Sequence, residues 1–177
     1  LIGQAVYLLL QMEINLDALA RVIRIAHEAG VCVVLNPAPA QPIADDVLAM
    51  VDIVTPNETE AAVLTGVQVT DLASAHSAAQ AFLAKGVRRV IITLGSEGSL
   101  IYVDQTFYKV PAYKPHEVVD ATGCGDTYSA GYLYRRLQGA SPLEAGKFAA
   151  AMCTIKLEHN GPFNRTQKDI QQIMGEA

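Results

Sequence analysis

Short apolar runs alternate with segments of helical period along the first half of this chain, and that alternation leaves few folds open. Residues 6–10 read as a buried strand. A helix over 16–29 follows, capped by Asn15, with Leu16, Leu19, Val22, Ile23 and Ala26 at helical spacing and Gly30 at its end. Residues 32–35 form the next apolar strand, and the prolines of Asn36-Pro37-Ala38-Pro39-Ala40 make a stiff loop after it. Helix 44–50, strand 53–55, helices 58–64 and 71–84, and strand 89–93 continue the pattern. Parallel strands need crossovers, and helices supply them, so the expectation is an α/β fold whose mostly parallel sheet is covered on both faces.

Past Gly98 the pattern changes. Residues 100–103 and 106–109 flank the two-residue turn Asp104-Gln105, which predicts an antiparallel hairpin at the sheet edge. Helices then take over: one over 126–137, one opened by the capping box Ser141-Pro142-Leu143-Glu144, and a last one over 166–174. No internal repeat, low-complexity segment or linker interrupts the 177 residues, which read as a single partial domain. The chain opens on Leu1, almost directly into a strand, as a piece of a longer protein would.

Composition narrows the function. Hydrophobic residues make up 51% and charged residues 18%, the balance of a globular protein. The net charge is -5, with no basic run or basic helix face, which argues against nucleic-acid binding. No apolar run is long enough to span a bilayer, and residues 6–10 lack the flanks of a leader peptide, so no membrane role is expected. Cys32, Cys124 and Cys153 are an odd count without metal-type spacing, which predicts reduced thiols and a cytoplasmic setting. Cys32 and Cys153 read as packing residues. The four histidines show no metal-ligand spacing. His27 and His76 read as solvated, and His159 lies in a polar turn where it would border a nucleotide.

In open α/β sheets, ligands bind beyond the carboxyl ends of the strands. The polar residues there are Gln11 and Glu13, then Asn36, then Asn57 and Glu60, then Thr93, Gly95 and Gly98. Each also has a plain structural use as a turn or cap residue; parallel strands would bring all of them to one rim. Asn57 and Glu60, three apart at a helix start, suit either a capping arrangement or a handle for hydrated Mg²⁺.

Asp120-Ala121-Thr122-Gly123-Cys124-Gly125-Asp126-Thr127 combines two glycines and a carboxylate where a loop becomes a helix. First-turn N–H groups lack intrahelical partners, and the helix dipole adds positive charge there. Such a turn holds anions, and an acid at its lip suits phosphoryl transfer. It also suits a plain tight turn with a dipole-favoured Asp126. Cys124 reads as a small residue that contributes a backbone N–H.

At these residues the chain resembles the ribokinase-like (PfkB) carbohydrate kinases. The likeness rests on Leu35-Asn36-Pro37-Ala38-Pro39-Ala40, Thr55-Pro56-Asn57-Glu58-Thr59-Glu60, Thr93-Leu94-Gly95-Ser96-Glu97-Gly98 and the segment 120–127, in the family's order and spacing. It implies a three-layer α/β/α fold of the ribokinase type, here without the amino-terminal strands, lid and Gly-Gly sugar segment. It implies ATP-dependent phosphorylation of a sugar hydroxyl, ribose or a related carbohydrate, by a protein that is homodimeric when complete. Asp126 would be the general base and substrate contact, with Gly123, Cys124 and Gly125 as the anion hole. Cys124 stands where the family usually has Ala. Asn57, Thr93, Gly95, Gly98 and His159 would contact the nucleotide, Glu13 the sugar, and Glu60 Mg²⁺. Asp120 and the Thr122 carbonyl would hold a monovalent cation, normally K⁺. The segment that supplies further cation ligands in the family is replaced by Leu157-Glu158-His159-Asn160-Gly161-Pro162-Phe163. The alternatives are a nucleoside or other sugar kinase of the same fold, and a truncated nucleotide-binding module without catalysis. A dinucleotide oxidoreductase is disfavoured, since no Gly-x-Gly-x-x-Gly follows an early strand.

Overall fold

The computed structural model of the chain describes residues 2–175. Six strands, β1 (Tyr7–Gln11), β2 (Cys32–Asn36), β3 (Ile53–Val54), β4 (Arg89–Thr93), β5 (Ser99–Val103) and β6 (Thr106–Val110), follow one another across the sheet in chain order. Seven α-helices accompany them: α1 (Leu16–Glu28), α2 (Asp45–Leu48), α3 (Glu58–Thr65), α4 (Leu72–Ala84), α5 (Cys124–Leu137), α6 (Pro142–Leu157) and α7 (Gln167–Gly175). β1 to β4 are parallel, as the crossover helices require. β5 and β6 are joined by Asp104 and Gln105, both at positive φ (49° and 62°). Two successive left-handed residues match the strand twist of a two-residue hairpin. The fold is the mostly parallel, hairpin-edged α/β architecture that the alternation predicted.

The chain divides into two compact units. The first takes the chain up to Thr93 together with Tyr102–Thr106, and the second takes Leu94–Ile101 and the chain from Phe107 onward. In the first, Val33, Val34 and Leu35 of β2 are wholly buried, with Leu19, Ile23 and Ala26 of α1 turned inward. α4 buries Ala75, Ala78, Ala79 and Phe82, and its small side chains let it lie close against β4. In the second unit, α5 packs on α6, and α6 on β5, through glycines. A Cβ on Gly131 would come within 2.6 Å of the Met152 sulfur, and one on Gly146 within 2.6 Å of Ile101 Cδ1. Phe148, Ala151, Ile155 and Ile170 join α6 to α7.

Two expectations change. The first strand is shifted by one residue and is not buried: Leu9 is 40% exposed and the preceding Val6 65%. β1 ends the strand order, so among the described residues it has a sheet neighbour on one flank only. The helix expected over 126–137 begins two residues earlier, because Gly123 caps it at φ 78° and Cys124 already belongs to its first turn.

Candidate functional site

In the first unit the register brings the strand ends level. Gln11 pairs across from Asn36, and Asn57 forms a parallel bridge with Thr93. Thr93 N–H donates to the Pro56 carbonyl at 2.9 Å. Gln11, Asn36, Asn57 and Thr93 therefore line one edge, as parallel strands demand. Glu13 is exposed just beyond Met12, whose N–H donates to the Ala38 carbonyl at 2.9 Å and whose carbonyl accepts from Gln41 Nε2 at 3.3 Å. Those bonds fold the proline loop back under the end of β1.

Asn57 and Glu60 form a reciprocal capping box at the start of α3. Glu60 N–H donates to Asn57 Oδ1 at 2.9 Å, and Asn57 N–H donates to Glu60 Oε2 at 2.8 Å. Asn57 Nδ2 adds a third bond, to Glu60 Oε1 at 3.0 Å. The pair is thus a cap, and the cap fixes the carboxylate in place. Among the described residues no three His, Cys, Asp or Glu side chains gather into a metal cage. A single held carboxylate fits Mg²⁺ bound mainly by water and phosphate.

The second unit begins with the turn Gly95–Glu97. Leu94 N–H donates to the Gly98 carbonyl at 2.8 Å. Gly98 sits at φ 93°, and a Cβ there would lie 1.9 Å from the Val110 carbonyl oxygen. Close approach of the end of β6 demands this glycine. Gly95, at φ 50°, is exposed.

The glycine turn is organised from Asp120, whose Oδ1 accepts the Thr122 N–H at 2.9 Å. That bond, with lesser help from Lys156, holds the carboxyl below the usual carboxylate range. Gly123 then turns left-handed, and a Cβ on it would meet nothing within 4 Å. Thr127 locks the turn by donating both its N–H, at 2.9 Å, and its hydroxyl, at 2.8 Å, to the Gly123 carbonyl. The cap residue Gly123 makes no side-chain bond to α5, Asp126 is exposed in its first turn, and Arg135 and Arg136 balance the dipole at its far end. Gly125 is likewise exposed. The Cys124 N–H, one of three amides expected at the anion site, already donates to the Ala121 carbonyl at 3.2 Å. Burial pushes the Cys124 thiol pKa upward, which disfavours the reactive thiolate. Cys153 behaves alike, its Sγ donating to the Cys124 carbonyl at 3.2 Å. Cys32 is pushed up to about 11, chiefly by burial.

Lys156 enters this site unannounced by the sequence. It lies in the last turn of α6 and is only 5% exposed. Its Nζ donates to Asp120 Oδ2 and to the Asp120 carbonyl, each at 3.3 Å, and to the His159 carbonyl at 3.1 Å. The same region is tied by backbone: Val119 and Asp120 donate to the Leu157 carbonyl at 2.7 and 3.1 Å, and His116 N–H donates to Glu158 Oε1 at 2.7 Å. The one sequence signal was a lysine directly following Met152-Cys153-Thr154-Ile155, where a buried charge demands a partner. His159 presents its carbonyl here, while its ring nitrogen Nδ1 bonds the Ile155 carbonyl at 2.9 Å. Two oxygens of Asp120, one of the two residues that the resemblance assigned to K⁺, are therefore engaged by an ammonium group, and that engagement does not fit an added cation at the same oxygens.

The model of the pfkB family carbohydrate kinases matches residues 2–168. The chain belongs to the pfkB family of carbohydrate kinases. Among pfkB relatives, the ribokinase of Haemophilus influenzae is 40% identical over 160 residues, covering 90% of this chain and 52% of that protein. The deoxyribokinase of Salmonella typhi is 30% identical over 155 residues, covering 87% of this chain and 50% of the relative. The structure of Arabidopsis thaliana ribokinase complexed with ribose and ATP superposes with a TM-score of 0.91 at 30% identity, over 98% of this chain and 57% of that one. The chain thus spans about half the length of the pfkB proteins it matches.

Proposed function

We propose that the chain is the nucleotide-binding and catalytic half of an ATP-dependent sugar kinase acting on ribose or a closely related pentose. One observation carries the proposal: an exposed carboxylate, Asp126, stands in the first turn of a helix whose cap residue is a left-handed glycine with open space before it. Family membership and the likeness to a ribokinase that binds ribose and ATP support the choice of substrates.

In this reading Asp126 accepts the proton of the sugar hydroxyl as its oxygen bonds to the γ-phosphorus, and the bond to the β-phosphate oxygen breaks to release ADP. The Gly125 N–H and the dipole of α5 face the charge that spreads over the transferring phosphoryl oxygens. Gly123 leaves room for the phosphate to reach the helix end. Thr93, Gly95 and Gly98 border the nucleotide, Asn57 orders Glu60, and Glu13 contacts the sugar. Glu60 would hold Mg²⁺ through its water shell, and the metal supplies charge neutralisation on the phosphates. Alignment and charge account for most of the acceleration in such a reaction, since the protein has little covalent work to do.

The test is ADP formation by the complete protein with ribose, deoxyribose and a nucleoside offered separately, beside calorimetry of ATP binding. Turnover that requires a pentose supports the proposal. ATP binding with no turnover on any sugar supports a nucleotide-binding module instead, and preference for the nucleoside moves the substrate to another branch of the fold.

A further inference from the structure

We propose that the Lys156 ammonium fills the monovalent-cation position beside the glycine turn, so that this protein orders its phosphate site without K⁺. An ammonium group and a bare potassium ion carry the same charge and are close in size. Three N–H bonds is all an ammonium has to give, and Lys156 places them on Asp120 Oδ2, the Asp120 carbonyl and the His159 carbonyl, at 3.1 to 3.3 Å. Those oxygens come from the two segments that a bound cation would have to join: the approach to the glycine turn and the turn after α6. At 5% exposure, the charge is buried against a carboxylate and against carbonyls near the negative end of α6, a setting that stabilises a cation. Asp120 is shared between the two tasks, since its other oxygen, Oδ1, accepts the Thr122 N–H. Lys156 thereby holds Asp120, and Asp120 holds the backbone that leads into Gly123. Lys156 is a positioning residue that acts through Asp120, and its catalytic consequence rests on the kinase reading above. The cation-binding claim does not, because it is read without nucleotide or sugar.

The experiment is thallium-205 NMR, with Tl⁺ standing in for K⁺, together with thermal melting of the protein in potassium and in choline chloride at equal ionic strength. The unmodified protein is expected to show no saturable Tl⁺ binding and the same melting temperature in both salts. Lys156→Met empties the position while keeping much of the side-chain volume. It is expected to melt lower in choline, to gain saturable Tl⁺ binding, and to recover by about 3 °C or more in potassium. A purely structural lysine would not exchange its effect for a cation. Saturable Tl⁺ binding by the unmodified protein that Asp120→Asn removes overturns the inference, and that measurement does not depend on any lysine variant folding. A folded Lys156→Met protein that melts at the unmodified temperature in every salt overturns it equally.

Discussion

Gly98 and Gly123 both turn left-handed, at φ 93° and 78°, yet a side chain would meet opposite surroundings at the two positions. At Gly98 a Cβ would stand 1.9 Å from a backbone oxygen, where nothing flexible can give way. At Gly123 it would meet open space. Gly98→Ala is therefore expected to cost more than about 3 kcal/mol, through backbone clash added to left-handed strain. Gly123→Ala is expected to cost only about 1–2 kcal/mol, the left-handed penalty alone. Urea denaturation of the two variants separates them, and equal losses would contradict the contrast. Each glycine was visible in the sequence as a turn residue. Which one is wedged and which one faces open space was not, because that depends on Val110, Pro111 and Ala112 arriving from elsewhere in the chain. Lys156 was hidden for the same reason: its partner Asp120 lies 36 residues away.

Local capping gives several elements a dependence on pH. Asp71 caps α4, Glu144 sits in the capping box of α6, and Asp169 exchanges hydrogen bonds with Thr166 at the start of α7. Each carboxyl is drawn below its ordinary value, 3.8 for the aspartates and 4.5 for the glutamate, first by its hydrogen bonds to Ser74, Ser141 and Thr166 respectively. A carboxyl whose folded pKa is depressed contributes stability above its unfolded pKa and loses it as pH falls through the folded value. The urea midpoint is therefore expected to decline as pH drops below the ordinary carboxyl values, and the double variant Asp71→Asn, Glu144→Gln to flatten that decline. A variant that declines as steeply as the unmodified protein would show that these caps do not govern acid stability. The capping box at Ser141 and the cap at Asn15 were legible because a cap involves residues only two or three apart. Burial of β1 was not legible, because Tyr7–Gln11 is apolar whether or not a neighbour covers it, and the strand order decides.

At the scale of the molecule, the alternation of strand and helix carried the architecture into view, since parallel strands leave their polar carboxyl-end residues on one edge. The structure brings Gln11, Asn36, Asn57 and Thr93 there, within one unit of the chain, and builds the glycine turn and Lys156 in the other. The pfkB family model matches residues 2–168, which reach into both units. Asp126, in the first turn of α5, is the group proposed to take the sugar's proton. The most direct measurement is steady-state turnover of Asp126→Asn in the complete protein, with ATP affinity measured alongside by calorimetry. The expected result is a kcat lower by about 10²–10⁴-fold, the usual contribution of a general base, with ATP affinity nearly unchanged. Turnover equal to that of the unmodified protein would contradict it.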